Sequence, residues 1–422
     1  MLKVEVLSKK TIKPSTPTPP HLRTFNLSLL DQLFPAYWVH VILFYHGGDR
    51  SLDPAGRLKR SLSETLTHHY PIAGRIKESS PGGKIYIECN DEGVEFSESV
   101  VDCDVDSVLS NPPIEEFVHL IPVKHTYFSI DEPLLAVQLN RFKCGGWALG
   151  VCVSHRVADG ISMSSLITSW AKAATGGGGE GGVPGHFFEL GSIMPTQDGL
   201  PPIHSTPTPT PVVPGRFVIS GSSIERLRRD NSTYNRSSRP TRFEAATCLL
   251  WRCAMRAAGD SARARRPHAM VSVDVRRRMP LAALGECKVG NAFVMASAVG
   301  ERVAADGGRE RQGFLEERLR GAVKGVNGEY VRAYMPKKEE AAAAGAVVDE
   351  RLMFSHWCRF PLYEADFGWG RPAWLGQASY EFCNFVLFME GRGADGMEAW
   401  VWLQEEELKR LRNDPELLSF TS

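Results

Sequence analysis

The 422 residues carry no net charge: 49 Lys plus Arg balance 49 Asp plus Glu. No basic stripe therefore points to nucleic acid or to an anionic membrane surface. No apolar run approaches the roughly 20 residues that a membrane-spanning helix needs, and the opening MLKVEVLSKKTIKPSTPTPP alternates like a strand without a signal-peptide core. The expectation is a soluble, cytoplasmic protein. The nine cysteines are odd in number and form no C-x-x-C pair, which argues against a disulfide framework and the common zinc spacings. His68 and His69 point different ways on a predicted helix, His125 stands alone and no His-Cys cluster exists, so no metal site is expected. No G-x-S-x-G elbow marks a serine hydrolase, and no repeat at a period of about 20–50 residues marks a solenoid. Gly177, Gly179 and Gly182 spell G-x-G-x-x-G, but they follow a helix inside a glycine run and do not link a strand to a helix, as a dinucleotide site demands. The DFG at Asp366 lacks the catalytic loop and phosphate loop of a kinase.

What is present reads as α/β. A hydrophobic content of 43% is enough for a large core, and the length suggests two or three domains at roughly 100–200 residues each. Strand-like runs such as WVHVILFYH (Trp38 to His46) alternate with helical ones such as PAGRLKRSLSETLTHHY, whose leucines fall at 58, 62 and 66. Between Gly176 and Pro214 the composition turns to Gly, then to Pro and Thr, with little apolar periodicity. That stretch reads as a crossover linker, 176–214, between an N-terminal domain, 1–175, and a C-terminal domain, 215–422. In the latter, RFEAATCLLWRCAMRAAG predicts a helix entered near Thr241 or Arg242, and HAMVSVDVRRRM, VGNAFVMASAV, RLMFSHWCRF and MEAWVWLQ predict strands.

One short stretch carries chemistry. SHRVADGI, Ser154 to Ile161, follows the apolar run WALGVCV. Along a strand, Val151, Val153 and His155 share one face, while Cys152 and Ser154 point to the other. Neither is placed to be a nucleophile activated by His155, so the histidine itself is the candidate: an imidazole with an ordinary pKa near 6.5 is suited to take a proton from a bound hydroxyl or amine. Asp159 has two available jobs, orienting the imidazole or pairing with an arginine to hold the turn, with Gly160 supplying an unusual backbone angle. Both stay open on the residues alone, and the motif in isolation also fits an ordinary polar loop leaving a strand.

SHRVADG and DFGWG (Asp366 to Gly370) together are far more specific than either alone. With SLLDQLFP, LKRSLSETLTHHYPIAGRI, VDVRRRM before VGNAF, and SHWCRFPLYEADFGWGRP in that order, the chain resembles the BAHD acyltransferases almost end to end. The resemblance implies two similar chloramphenicol-acetyltransferase-like domains, each a mixed sheet flanked by helices, with a channel between them. It implies His155 as general base and Asp159 with Gly160 as support. Asp366 and Gly368 would hold an architectural loop, Asp366 being salt-bridged to Arg276 or Arg278. Trp357 and Ser355 are the implied oxyanion or acyl contacts, and Thr241 and Arg242 the implied CoA contacts. Acyl-CoA is then a co-substrate, with no permanently bound cofactor, a small alcohol or amine the acceptor, and the protein a monomer. Within the family the chain looks most like the vinorine synthase-like branch, which implies acetyl transfer to an alkaloid or terpenoid alcohol. Hydroxycinnamoyl or benzoyl transfer and a silent small-molecule binder are the alternatives. Serine at 154 departs from the double histidine of peptide-synthesis condensation domains, and CKVGNAF lacks the aromatic that usually precedes its Gly-Asn.

Overall fold

Strands that read as unbroken apolar runs need cover on both faces, and WVHVILFY and WALGVCVS are buried at every position. The computed structural model describes every residue except 1, 35, 48–52, 81–82, 126, 128, 130–131, 178–189, 199–210, 233–238, 260–265, 280–288, 302–309, 334–349 and 393–394. Most of the expected linker and the Ala-rich stretch after Glu340 lie outside the described residues. In chain order the strands are β1 (Val4–Ile12), β2 (Thr24–Asn26), β3 (Trp38–Tyr45), β4 (Arg75–Glu78), β5 (Ile85–Glu88), β6 (Val94–Val101), β7 (Leu135–Phe142), β8 (Trp147–Ser154), β9 (Val212–Ile219), β10 (Pro267–Asp274), β11 (Phe293–Val299), β12 (Glu350–His356), β13 (Trp374–Gly376), β14 (Phe385–Glu390) and β15 (Met397–Gln404). The helices are α1 (Leu29–Leu33), α2 (Pro54–His68), α3 (Val105–Ser110), α4 (Gly160–Ala174), α5 (Gly221–Ser232), α6 (Arg242–Ala257), α7 (Glu310–Gly325), α8 (Gly328–Ala333), α9 (Glu405–Arg412) and α10 (Pro415–Leu418).

The chain forms two units, and their membership corrects the expected domain boundaries. The first is Met1–Ser205 with Leu281–Ala292 and Phe360–Ser379; the second is Thr206–Pro280, Phe293–Arg359 and Tyr380–Ser422. DFGWG therefore belongs to the first unit. The physical reason is strand pairing: β13 adds antiparallel to β3, Trp374 opposite Phe44, and Ala373 N–H donates to the Phe44 carbonyl at 2.7 Å.

The first unit's six-stranded sheet runs β1-β6-β7-β8-β3-β13, beside a small sheet β2-β5-β4. Helix α2 begins where Asp53 caps the Gly56 N–H and Pro54 occupies the first turn. Its leucines 58, 62 and 66 are fully buried, and Trp170 of α4 donates its indole N–H to the Leu58 carbonyl at 3.1 Å and to Ser61 Oγ at 3.0 Å. That bond fixes the register of α4, whose N-terminus carries the histidine motif.

The second unit's sheet runs β11-β10-β12-β14-β15-β9. Arg216 on β9 forks onto Glu398 of β15 with two bonds of 2.7 Å, a bidentate pair of the strong kind. Helix α6 buries Leu249, Leu250 and Trp251 and ties down the end of the chain. Arg256 donates to both Asp414 oxygens, at 2.7 and 2.9 Å, and to Glu416 at 2.7 Å, while Arg252 reaches Glu416 at 2.7 Å. Asp414 in turn caps α10. Arg256→Ala strands the buried Asp414 carboxylate and is expected to destabilise the second unit by about 1–3 kcal/mol; an unchanged urea midpoint contradicts this clamp.

Candidate active site

Strand β8 ends at Ser154, one residue sooner than the motif suggests, so His155 opens a turn (His155 to Val157) that delivers the chain into α4. Both main-chain groups of His155 are held. Its N–H donates to the Tyr37 carbonyl at 2.9 Å, and its carbonyl accepts from Asn291 Nδ2 at 2.6 Å. The imidazole stacks on Phe34, with centroids 5.5 Å apart and planes within 6°, and meets the Tyr37 ring at 4.8 Å and 69°. The residue is 8% exposed and its Nδ1 is fully enclosed. Burial pushes the His155 pKa below its ordinary value, opposed by its own carbonyl, the Asp159 charge and the Asn291 side chain. Near neutral pH the ring is uncharged.

The neighbouring groups do not supply a nucleophile. The Cys152 thiol is fully buried, which pushes its pKa up to about 12, and the Ser154 hydroxyl is likewise sealed in the sheet. A thiolate forms only with difficulty under such conditions.

Asp159 is the N-cap of α4. One oxygen accepts from Ser162 N–H at 2.9 Å, the other from Ala292 N–H at 3.1 Å. Gly160 corrects an expectation: it is the first helical residue and has no positive φ. The unusual backbone angle is instead at Gly290, φ +100°. Gly290 forms a parallel bridge with Ala158, donates to the Val157 carbonyl at 2.6 Å and accepts from Ser162 Oγ at 3.1 Å. A Cβ there would stand 3.3 Å from both oxygens of Asp31. Asp31 itself, 2% exposed, accepts from the main-chain N–H and Nδ2 of Asn291 at 2.6 and 2.8 Å, and from Ser28 N–H and Oγ, both at 2.7 Å. Burial raises its pKa, with the Ser28 and Asn291 bonds opposing. Asp31, Phe34, Tyr37, Gly290 and Asn291 were not expected at the site, although SLLDQLFP and VGNAF were visible as blocks; VGNA precedes β11 as a docked loop.

Asp366 has a different partner set from the expected arginine. A single carboxylate oxygen accepts the N–H groups of Gly368, Trp369 and Gly370 at 2.7, 3.1 and 3.0 Å, a turn made possible by positive φ at Gly368 and Gly370. Strand β10 stops at Asp274, so Arg276 and Arg278 lie in the turn after it: Arg276 pairs with Asp274 at 3.1 Å, and Arg278 donates to the Val323 and Val326 carbonyls at the end of α7. The turn presents Phe367 to Trp170 of α4 at 5.0 Å and Trp369 to Tyr45 and Trp147, each at 6.1 Å. Trp147 starts β8 and His155 follows its last residue, so DFGWG clasps the far end of that strand, about 26 Å from His155 at ordinary strand rise.

In the second unit, Ser355 accepts from Ser272 Oγ at 3.2 Å, and Trp357, just past the end of β12, is 8% exposed and donates its main-chain N–H to the Phe388 carbonyl at 2.7 Å. Thr241 and Glu244 form a reciprocal capping box at the start of α6, and Arg242 Nη2 donates to the carbonyls of Asp395 and Gly396. Cys253, Asp414 and Glu416 approach one another as metal ligands would, but both carboxylates are already engaged by arginines. Among the described residues no helix is long and apolar enough to cross a membrane.

Comparison with known proteins identifies the class of this two-unit α/β chain. The Transferase family model matches residues 2–418. Limonoid 21-O-acetyltransferase of Citrus sinensis is 31% identical over 99% of this chain and 98% of its own length. Stemmadenine O-acetyltransferase of Catharanthus roseus is 32% identical over 97% and 96%. The crystal structure of vinorine synthase superposes with a TM-score of 0.83 at 29% identity, covering 100% of this chain and 99% of that one. The chain belongs to the Transferase family, the BAHD acyltransferases.

Two outcomes test the site's physics. Burial also pushes His40 of β3 down to about 3, opposed by its own main chain, Gln377 and the main chain of Ser379. As pH falls below about 6.5 the unfolded chain takes up protons that this folded histidine refuses, so stability falls, by about 2 kcal/mol at pH 5. His40→Gln should flatten the pH dependence of the unfolding midpoint between pH 7 and 5; an unaltered slope contradicts a buried neutral His40. Asp366→Ala leaves three N–H groups without their acceptor and should lower stability by about 1–2 kcal/mol; no loss in a denaturant titration contradicts the loop's role.

Proposed function

We infer that the protein transfers an acyl group from an acyl-CoA thioester to a hydroxyl, directly and without an acyl-enzyme. The observation that carries this reading is the uncharged, ring-packed imidazole of His155, placed where no serine or cysteine beside it can act as nucleophile. Nε2 takes the proton of the acceptor O–H as the oxygen bonds to the thioester carbon. The tetrahedral intermediate then expels CoA by breaking the C–S bond, and the imidazolium returns the proton to the departing sulfur. Such proton transfer contributes about 10²–10⁴-fold.

Acetyl is the favoured acyl group and a bulky specialised-metabolite alcohol the favoured acceptor. Support comes from relatives named as acetyltransferases of a limonoid and of stemmadenine. Another relative, from Clarkia breweri, is named for acetyl-CoA and benzyl alcohol and is 31% identical over the whole of both chains. Trp357 and Ser355 are proposed to serve the oxyanion or acyl group, a role drawn from the family resemblance. For CoA the proposal keeps Arg242, whose guanidinium has further N–H donors beyond the Nη2 bonds to Asp395 and Gly396, and sets Thr241 aside as a helix cap.

The test is product detection by mass spectrometry with purified protein, acetyl-, benzoyl- and hydroxycinnamoyl-CoA, and a set of alkaloid, terpenoid and benzylic alcohols. Acetyl ester is expected, with His155→Ala slowing its formation at least about 10²-fold at an unchanged melting temperature. Ester formed at the same rate without His155 overturns the assignment of the base, and a preference for the aromatic donors replaces acetyl by the alternative acyl class.

A further inference from the structure

We propose that Asn291, locked by the buried carboxylate of Asp31, is the positioning residue that sets His155 for proton transfer. The inference rests on the reading of His155 as the base and adds two residues that act through it.

A side-chain amide has two N–H hydrogens and one carbonyl oxygen. Asn291 Nδ2 spends its two donors in different directions, one on Asp31 Oδ1 at 2.8 Å and one on the His155 carbonyl at 2.6 Å. Two bonds from one planar NH₂ group fix the orientation of the amide, and through the second bond they fix the peptide that carries the base. The main-chain N–H of Asn291 also goes to Asp31 Oδ1, at 2.6 Å, so the asparagine is held by backbone and side chain against one oxygen. Asp31 is in turn anchored on its other oxygen by the N–H and Oγ of Ser28, within the capping box of α1. The line from Ser28 through Asp31 and Asn291 to His155 is buried at each member.

General support of the turn comes from other bonds. Asp159 caps α4 and holds Ala292, and Gly290 bonds Val157 and Ser162. The Asn291 amide reaches His155 itself, at its carbonyl, opposite the Tyr37 carbonyl that accepts from its N–H. Burying a carboxylate is costly, and here the donors that offset the cost include both N–H groups of Asn291. Arg156 is close enough to feel the Asp31 charge. A base displaced by about 1 Å can lose roughly 10²-fold in rate, so a device that fixes the His155 peptide bears directly on turnover.

The variants are Asn291→Ser, Asn291→Ala and Asp31→Asn. Serine keeps a hydroxyl able to bond Asp31 yet is too short to span to the His155 carbonyl as well, so it separates positioning from folding if the alanine variant fails to fold. With acetyl-CoA and an accepted alcohol, Asn291→Ser should lower kcat by about 10-fold or more, with KM for both substrates within about threefold and the melting temperature near that of the unaltered protein. Unchanged kcat, or a change in KM alone, overturns the proposal. A second readout needs no turnover. Stacking on Phe34 imposes a ring-current shift on the His155 imidazole in the NMR spectrum of histidine-labelled protein, assigned by its loss in His155→Ala. That shift should change in Asn291→Ser and in Asp31→Asn, and its persistence in both overturns the proposal. If the unaltered protein transfers no acyl group to any acceptor, the functional reading fails by itself, and the ring shift still decides whether Asn291 and Asp31 position the ring.

Discussion

The histidine turn depends on one buried carboxylate. Asp31 sits at 2% exposure, where an ionised group without partners would be far too costly to keep. Four donors meet it, two from Ser28 at the head of α1 and two from Asn291. These bonds draw together segments some 260 positions apart in the chain. Once Asn291 is docked, its neighbours follow. Gly290 bonds the turn after His155, Ala292 bonds the cap of α4, and the asparagine amide bonds the carbonyl of His155. A side chain at Gly290 would bring its Cβ to a tight 3.3 Å from both Asp31 oxygens and would need a φ of +100° that side-chained residues rarely adopt.

A second consequence is electrostatic. The same enclosure that holds the ring also removes it from water, and burial is the largest influence on its ionisation. A base with a lowered pKa is uncharged across the neutral range, at some sacrifice of intrinsic basicity. The charge of Asp159 opposes the shift, but its oxygens are spent on main-chain N–H groups of Ser162 and Ala292. The aspartate of the motif thus keeps α4 and the 290–292 segment in place while acting on the imidazole through its field. At the other end of β8 the DFGWG turn closes on Trp147 and Tyr45, so the strand that ends next to His155 is clasped at both ends.

Much of this was legible in the residues. The leucines at 58, 62 and 66 announced the buried stripe of α2, the run from Trp147 announced β8, and the Asp-Gly pair marked the start of α4, because period and capping are local properties. The pairing of distant segments was not local. Segments 281–292 and 360–379 return to the first unit, so a division at the Pro- and Thr-rich stretch put DFGWG in the wrong half. Asp31 and Asn291 stood in visible blocks without assigned roles, since their meaning lies in a contact that no periodicity reports. Gly160 drew attention as the glycine of the motif, while the positive φ belongs to Gly290, more than a hundred residues later. Asp366 was expected to need a cation, whereas three N–H donors of its own turn satisfy it.

His155 is a buried imidazole whose pKa burial holds below its ordinary value, and its proposed role as the base requires Nε2 to take up the proton. The most direct measurement is the pH titration of the His155 ring by NMR in histidine-labelled protein. The account predicts an apparent pKa below the ordinary value near 6.5, with the proton of the neutral ring on Nδ1. A ring that titrates at or above that value, or that carries its proton on Nε2, would contradict it.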